Sequence, residues 1–338
     1  MKNSIIPDWM VRNREGIKNI LDCFNSKKIL LLGDLILDQF IWGDVSRISP
    51  EAPVPVVWAR QESYMPGGAC NVAHNLTALG ASVSLVGIVG DDPNGETLLA
   101  ELKKIGVDIE GVVQDAGRPT THKVRVIAHS QQVVRIDREN VDLISQSVIN
   151  KIVKIIESKI KEADAVIIED YGKGLITSSL VKKVVELGSR YKKIISVDPK
   201  REHFKYYKGI TTITPNKQEA EEATGIKIKD DDSLMRAGGK LLKTMEAKSV
   251  LITLGDKGMY LFEKGESALH IPTMARQVYD VSGAGDTVIA SFTLAVSSGA
   301  SLPQAAYIAN QASGIVVGKI GTATVSKKEL LKEIKKWK

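Results

Sequence analysis

Cysteine is scarce. Cys23 and Cys70 are the only two in 338 residues, too few for a disulfide framework, and a reducing cytoplasm is the expected setting. Aromatic side chains make up 5% of the chain. No basic run is interleaved with them, which argues against nucleic acid as a partner. No apolar run approaches the roughly 20 residues that cross a bilayer. Pro7, Asp8, Arg12, Arg14 and Glu15 break up any signal-like apolar core near the start, so no membrane association is expected. The histidines at 74, 122, 129, 203 and 270 show no metal-ligand spacing, and zinc is not expected. Two familiar glycine motifs are missing as well. There is no Gly-x-x-x-x-Gly-Lys-Ser/Thr loop, and Gly87-Ile-Val-Gly90 does not complete a dinucleotide fingerprint. Any nucleotide site must rest on another device.

What is present points to an α/β protein. Short apolar runs (Ile29–Leu32, Val83–Val86, Ala165–Ile168, Ile194–Val197, Thr211–Ile213 and Val250–Thr253) alternate with helical patterns near 70–79, 95–105, 145–162, 177–190, 217–223 and 232–246. That alternation predicts a mainly parallel sheet with helices on both faces. A helix is expected over residues 8–25, packed on the core. The net charge of +6 is concentrated toward Lys327–Lys338, where Leu330, Ile334 and Trp337 form the apolar side of an amphipathic helix. Two stretches, 39–62 and 119–137, contain strand patterns without a helix. They read either as a small projecting lid or as an edge extension of the main sheet.

Polar residues follow the apolar runs. Asp34 and Asp38, Glu169 and Asp170, Asp198 and Lys200, Asn216 and Glu219, and Gly255 and Gly258 all sit just past strand ends, where ligands bind in open α/β sheets. Each alone reads equally well as a cap or turn. Pro66-Gly-Gly68-Ala-Cys-Asn71 opens a helix with a flexible turn and an amide suited to hydroxyl groups. Asp280-Val-Ser-Gly-Ala-Gly-Asp286-Thr is the most informative segment. Its turn Gly283-Ala284-Gly285 precedes a long apolar helix, and amides at a helix N-terminus attract anions. A carboxylate at the same place fits a base that takes a proton from a hydroxyl while the amides hold a phosphoryl group. An acidic N-cap is the alternative reading of the same residues.

These paired segments, with Asn216-Lys-Gln-Glu219, are similar to the signatures of the ribokinase-like, or PfkB-type, carbohydrate kinases. The resemblance runs from Lys28 to about Lys338. It implies a three-layer α/β/α fold with a small β-sheet lid, and a division into an N-terminal helical extension (1–26) and a kinase domain (27–338) with lid insertions at about 39–62 and 119–137. Gly33–Asp38, Gly43–Val56, Arg135–Glu139, Glu169–Gly174 and Asp198-Pro-Lys200 narrow it to the kinases of D-glycero-D-manno-heptose 7-phosphate, which serve ADP-heptose and lipopolysaccharide-core synthesis. The chain ends after the kinase portion, which implies a stand-alone enzyme. The resemblance assigns Asp286 as general base and the amides of Gly283, Ala284, Gly285 and Asp286 as the anion hole. It assigns Asn216 and Glu219 to Mg²⁺ and the ATP phosphates, with Lys200 beside them. Thr253, Gly255, Gly258 and Asn310 are assigned to the nucleotide. Asp34, Asp38, Gly67, Gly68, Asn71 and Asp170 fall to the sugar. Arg47 and Lys173 are the expected ligands of a distal phosphate, with Arg138 a rival. ATP, Mg²⁺ and a monovalent cation are the implied cofactors, and a homodimer through the lid is the expected assembly. A related kinase for another sugar, or a non-catalytic sugar- or nucleotide-binding protein, are the alternatives.

Overall fold

The computed structural model describes residues 6–129, 131–275, 277–319 and 321–337. Thirteen strands are numbered along the chain. They are β1 (Lys28–Gly33), β2 (Leu35–Ile48), β3 (Pro55–Gly68), β4 (Ser82–Gly90), β5 (Asp108–Asp115), β6 (Thr121–Ala128) and β7 (Gln131–Arg138). They continue with β8 (Ala165–Glu169), β9 (Ile194–Asp198), β10 (Thr212–Ile213), β11 (Ser249–Thr253), β12 (Met259–Glu263) and β13 (Leu269–Ile271). Nine of them form one sheet in the order β13-β12-β11-β10-β9-β8-β1-β4-β5. The run from β11 to β5 is parallel, and β12 and β13 close one edge antiparallel.

The central strands are buried on both faces, so their side chains divide with period two between two cores. Leu31 and Ile167 enter one, and Leu30, Leu32, Val166 and Ile168 enter the other. The chain lays β4 and β5 on one side of β1, then returns to lay β8 through β11 on the other. The reversal falls between β1 and β8, and a crevice opens past their carboxyl ends.

The expected helix over 8–25 is broken at Asn13. Helices Asp8–Arg12 and Arg14–Asp22 are followed by a 3₁₀ turn, Cys23–Ser26. Met10, Ile17, Leu21 and Phe24 are fully buried in the same core as the helix Leu302–Val316. The ring of Trp9 meets that of Tyr307 edge-on at 6.0 Å. Strands β5, β12 and β13 have no counterpart in the sequence reading: β5 and β13 have few and interrupted apolar residues, and the short run Met259–Phe262 of β12 was passed over.

The helix-free stretches build a second sheet, β3-β2-β6-β7, separate from the first. It is therefore not an edge extension. Strands β2 and β3 form a long antiparallel ribbon with bulges at Trp42/Gly43 and Val45/Arg47, and β6 lies parallel to β2. The root of β2 is buried (Leu35–Gln39) and its tip exposed. Strand β2 begins two residues after β1 ends, so the small sheet grows from the rim of the crevice.

Candidate active site

Two helices start at the crevice. Ala69–Ala78 is preceded by Gly68 (φ 55°), and Ala284–Ser297 by Gly283 (φ 75°). Both glycines hold a left-handed conformation that other residues rarely adopt. At Gly283 space is short as well, because a Cβ would stand 2.5 Å from Asn71 Nδ2. The two helices are bound together below the site. Thr287 Oγ1 donates to Asn75 Oδ1 (2.9 Å), and Asn75 Nδ2 donates to the Asn71 carbonyl (3.0 Å).

Asp286 lies in the first turn of the second helix and is 4% exposed. Its carboxylate accepts from Asn71 Nδ2 (2.6 Å) and from the Tyr171 hydroxyl (3.0 Å). Burial pushes its pKa above the usual carboxylate range, and these two donors pull the other way. The result is an anchored carboxylate that is a stronger base than an exposed aspartate.

On the sugar side, Asp34 directly follows β1 and is buried. Its Oδ2 accepts from the amides of Tyr171 (2.9 Å) and Lys173 (3.1 Å), which ties the loop after β8 to β1. Burial, with Asp170 nearby, raises its pKa to about 6. Asp38 is also buried and pairs with Arg125 on β6. Gly67 is opposite Ile36 on the neighbouring strand, and a Cβ there would strike the Asp38 carboxylate. These contacts, with the Asp34 carbonyl against Gly68, bring Asp34, Asp38, Gly67, Gly68 and Asn71 together at the crevice. Asp170 is engaged elsewhere. It accepts from Gly172 N (2.8 Å), His203 Nδ1 (2.7 Å) and the Tyr207 hydroxyl (2.5 Å). Arg47 is not brought to the site. It is exposed near the tip of β2, roughly 40 Å along the strand from Asp34 at the ordinary rise per residue. Arg138, opposite His122 on β7, is exposed too.

On the other side of Gly285 lies a cavity of about 560 Å³. Thr253, Gly255, Gly258 and Asn310 all line it, as do Ala284 and Gly285. Gly258 (φ 82°) turns so tightly that a Cβ would meet the Ile271 carbonyl at 2.1 Å. Asn310 Nδ2 donates to the Pro272 carbonyl (2.6 Å). Val278, Val281 and Val288 supply apolar wall. A mostly apolar slot that ends at a helix N-terminus suits a flat base joined to an anionic tail.

Between the two spaces is a group of acids that single motifs did not reveal. Glu169 ends β8, Asp198 ends β9, and their carboxylate oxygens come within 4.8 Å of one another and of Asp286. Burial raises the pKa of both, helped by the charges of Asp198 and Asp286 at Glu169 and of Glu219 and Asp286 at Asp198. Glu169 Oε2 is buried with no hydrogen-bond partner. An orphaned acceptor among hard oxygen ligands fits a divalent cation. Asn216 and Glu219 cap the helix Lys217–Thr224 reciprocally. Glu219 N donates to Asn216 Oδ1 (3.0 Å), and Asn216 N donates to Glu219 Oε2 (2.8 Å). Glu219 still faces the acids, since its charge is the main neighbour raising Asp198. The Lys200 side chain lies against Gly172, and its charge steadies Glu219. The sequence reading put Glu169 and Asp198 at strand ends without giving either a role, and it did not single out Tyr171. The signal was available: each stands at or just past the carboxyl end of a strand, and β8 and β9 are neighbours.

The pattern of the pfkB family of carbohydrate kinases matches residues 26–329. The chain belongs to that family. It is 49% identical over 307 residues to the bifunctional protein HldE of Desulfatibacillum aliphaticivorans, covering 91% of this chain and 63% of the relative. It is 43% identical to HldE of Geobacter sulfurreducens (94% and 65%) and 46% identical to HldE of Helicobacter hepaticus (91% and 64%). The chain therefore spans a little under two thirds of the length of these relatives. Among solved structures, the fold is shared with Arabidopsis thaliana ribokinase complexed with ribose and ATP (TM-score 0.72, 22% identity, 91% of this chain and 99% of that one). It is shared also with Escherichia coli phosphofructokinase-2 in complex with potassium (TM-score 0.76, 18% identity, 91% and 98%). The chain thus has the ribokinase-like fold of these two structures.

Proposed function

We propose that the chain is an ATP-dependent kinase that phosphorylates the anomeric O1 hydroxyl of D-glycero-β-D-manno-heptose 7-phosphate, giving the 1,7-bisphosphate for ADP-heptose synthesis in the cytoplasm. The observation that carries this reading is the position of Asp286. A buried, doubly anchored carboxylate stands where a polar cradle meets a cavity fit for a nucleotide, in a pfkB-family chain 41–49% identical to the bifunctional HldE proteins.

In this reading the sugar rests among Asp34, Asp38, Gly67 and Asn71. Asp286 takes the proton as O1 bonds to the γ-phosphorus of ATP and the bond to the β-phosphate oxygen breaks. Phosphoryl transfer depends mainly on positioning and charge stabilisation. The amides of Gly283, Ala284, Gly285 and Asp286 face the charge that develops on the transferred group. Glu169, Asp198 and Glu219 would hold Mg²⁺, which when bound offsets phosphate charge. Thr253, Gly255, Gly258 and Asn310 hold the nucleoside end, and Lys200 assists at the phosphates. A monovalent cation belongs to the same proposal, tested by the response of turnover to K⁺. We assign a homodimer through the small sheet, whose surface exposes Ile48, Trp58 and Ile136. No helix among the described residues is long and apolar enough to cross a membrane.

The deciding test is turnover with ATP over a panel of sugars and sugar phosphates. Heptose 7-phosphate is expected to have the highest kcat/KM, and Asp286→Asn to lower kcat by at least ~10²-fold while the protein stays folded. Near-native turnover in that variant removes Asp286 as the base. Equal kcat/KM for heptose and heptose 7-phosphate removes the phosphorylated substrate.

A further inference from the structure

Successive residues of a strand point to opposite faces, so the small sheet has two different surfaces. One carries Asp38 on β2, Lys123 and Arg125 on β6, and Arg135 and Asp137 on β7. Lys123 is paired in register with Asp38 on one side and Asp137 on the other. This face turns toward the site, because Asp38 is close enough to Asp286 to affect its ionisation. His122 and Arg138 are on the opposite face, which takes Arg138 away from the sugar.

At the root of this face two lysines converge from different parts of the molecule. Lys123 comes from the small sheet, and Lys173 from the loop that Asp34 holds by its amides. Their side chains are 17% and 14% exposed. Between them lies Glu139, whose Oε2 is 2.8 Å from Lys173 Nζ and 4.0 Å from Lys123 Nζ. That oxygen is buried and has no hydrogen bond of good geometry, so charge alone holds it. Arg118 Nη2 staples the two segments together through the carbonyls of Asn140 (2.6 Å) and Lys173 (2.7 Å). Of the nearby acids, Asp137 is 3.7 Å from Lys123 but already engaged by Arg135 (2.9 Å), and Asp38 by Arg125. Two half-buried ammonium groups thus flank one carboxylate, Lys173 close to it and Lys123 at the limit of an ion pair.

We propose that Lys123 and Lys173 form the seat of the substrate's distal phosphate monoester, and that Glu139 occupies this seat until the phosphate displaces it. The proposal rests on the kinase reading above, keeps Lys173 from the sequence expectation, and adds Lys123 and the displaceable Glu139. A phosphate monoester near neutral pH carries close to two negative charges, which match two ammonium groups where one carboxylate does not. Its three oxygens also accept hydrogen bonds that the carboxylate oxygen fails to make in good geometry. Because one lysine belongs to the small sheet and the other to the main body, a phosphate held by both clamps the two across the sugar. The phosphate therefore acts as a latch as well as a handle.

The test uses the full chain with three probes: heptose 7-phosphate, heptose and inorganic phosphate. Lys123→Met and Lys173→Met are expected to raise KM for heptose 7-phosphate by at least about tenfold, the loss typical of a charged hydrogen bond. Lys123→Arg should recover part of that loss. Glu139→Gln should do the opposite, lowering KM for heptose 7-phosphate and tightening binding of inorganic phosphate measured by calorimetry by about threefold or more. If both methionine variants keep KM within twofold, or Glu139→Gln weakens phosphate binding, the seat is elsewhere. If no sugar is phosphorylated by the native chain, the kinase reading fails. Calorimetry with inorganic phosphate then still decides the seat, by whether the lysine variants abolish binding and Glu139→Gln strengthens it.

Discussion

A single glycine shows how closely the base is fitted. Gly283 combines a left-handed backbone with a gap that a Cβ would close against Asn71 Nδ2. Asn71 is one of the two donors that anchor Asp286. Gly283→Ala is therefore expected to destabilise the protein by roughly 1–3 kcal/mol and to lower kcat by more than any accompanying change in KM for ATP. Thermal unfolding and steady-state kinetics on one preparation check both. Tyr171 is the second anchor. Tyr171→Phe keeps the ring and removes the donor to Asp286 Oδ1, and kcat is expected to fall about tenfold, with Tm nearly unchanged. These residues differed in legibility. Asp286, Asn71 and their glycines were readable because a tight turn before a helix leaves a mark in a few consecutive residues. Tyr171 was not, since a single tyrosine two residues past a strand leaves no such mark, and only the fold brings it to Asp286.

Among the elements, the short 3₁₀ turn Arg201–Tyr206 has a quiet part in the site. Its His203 binds Asp170, which also receives Tyr207 and Gly172. The loop bearing Tyr171 and Lys173 is fixed from behind in this way. The bond to Asp170 raises the His203 pKa above 6.5, helped by the charges of Glu202 and Asp34 and opposed by burial. A raised pKa means that the folded protein holds the proton more tightly. The stabilisation is complete below the unfolded value and is lost as pH climbs through the folded one. His203→Gln should thus lower Tm by on the order of 2 °C at pH 6, and the deficit should shrink toward pH 9. A deficit independent of pH would show that packing on Tyr206, not charge, is what His203 provides. Elements were legible where apolar runs were long. The acids Glu169 and Asp198 needed the order of β8 and β9 before they could be seen as one cluster, and strand order is not written in either strand. The distance of Arg47 from Asp34 was hidden for a related reason. Nothing in residues 35–48 signals how far an unbroken strand will travel.

For the whole molecule, the N-terminal helices, the C-terminal helix and the main sheet share one core, and Lys327 meets Asp22 at 3.2 Å. The small sheet joins that core only at its root, through Leu35 and Leu37, and its outer part is open, with Ile48 and Trp58 each 62% exposed. An apolar surface of this kind marks an interaction site. In the proposed dimer, Trp58→Glu is expected to halve the mass measured by light scattering without lowering the Tm of the monomer appreciably. An unchanged mass would move the interface to another surface. Strand β2 runs for 14 residues from buried Leu35 to exposed Ile48, bonded along its length to β3. It is an oar with its blade in solvent and its handle in the catalytic crevice. Both bulges lie between blade and handle, so the ladder slips register before it reaches Asp38.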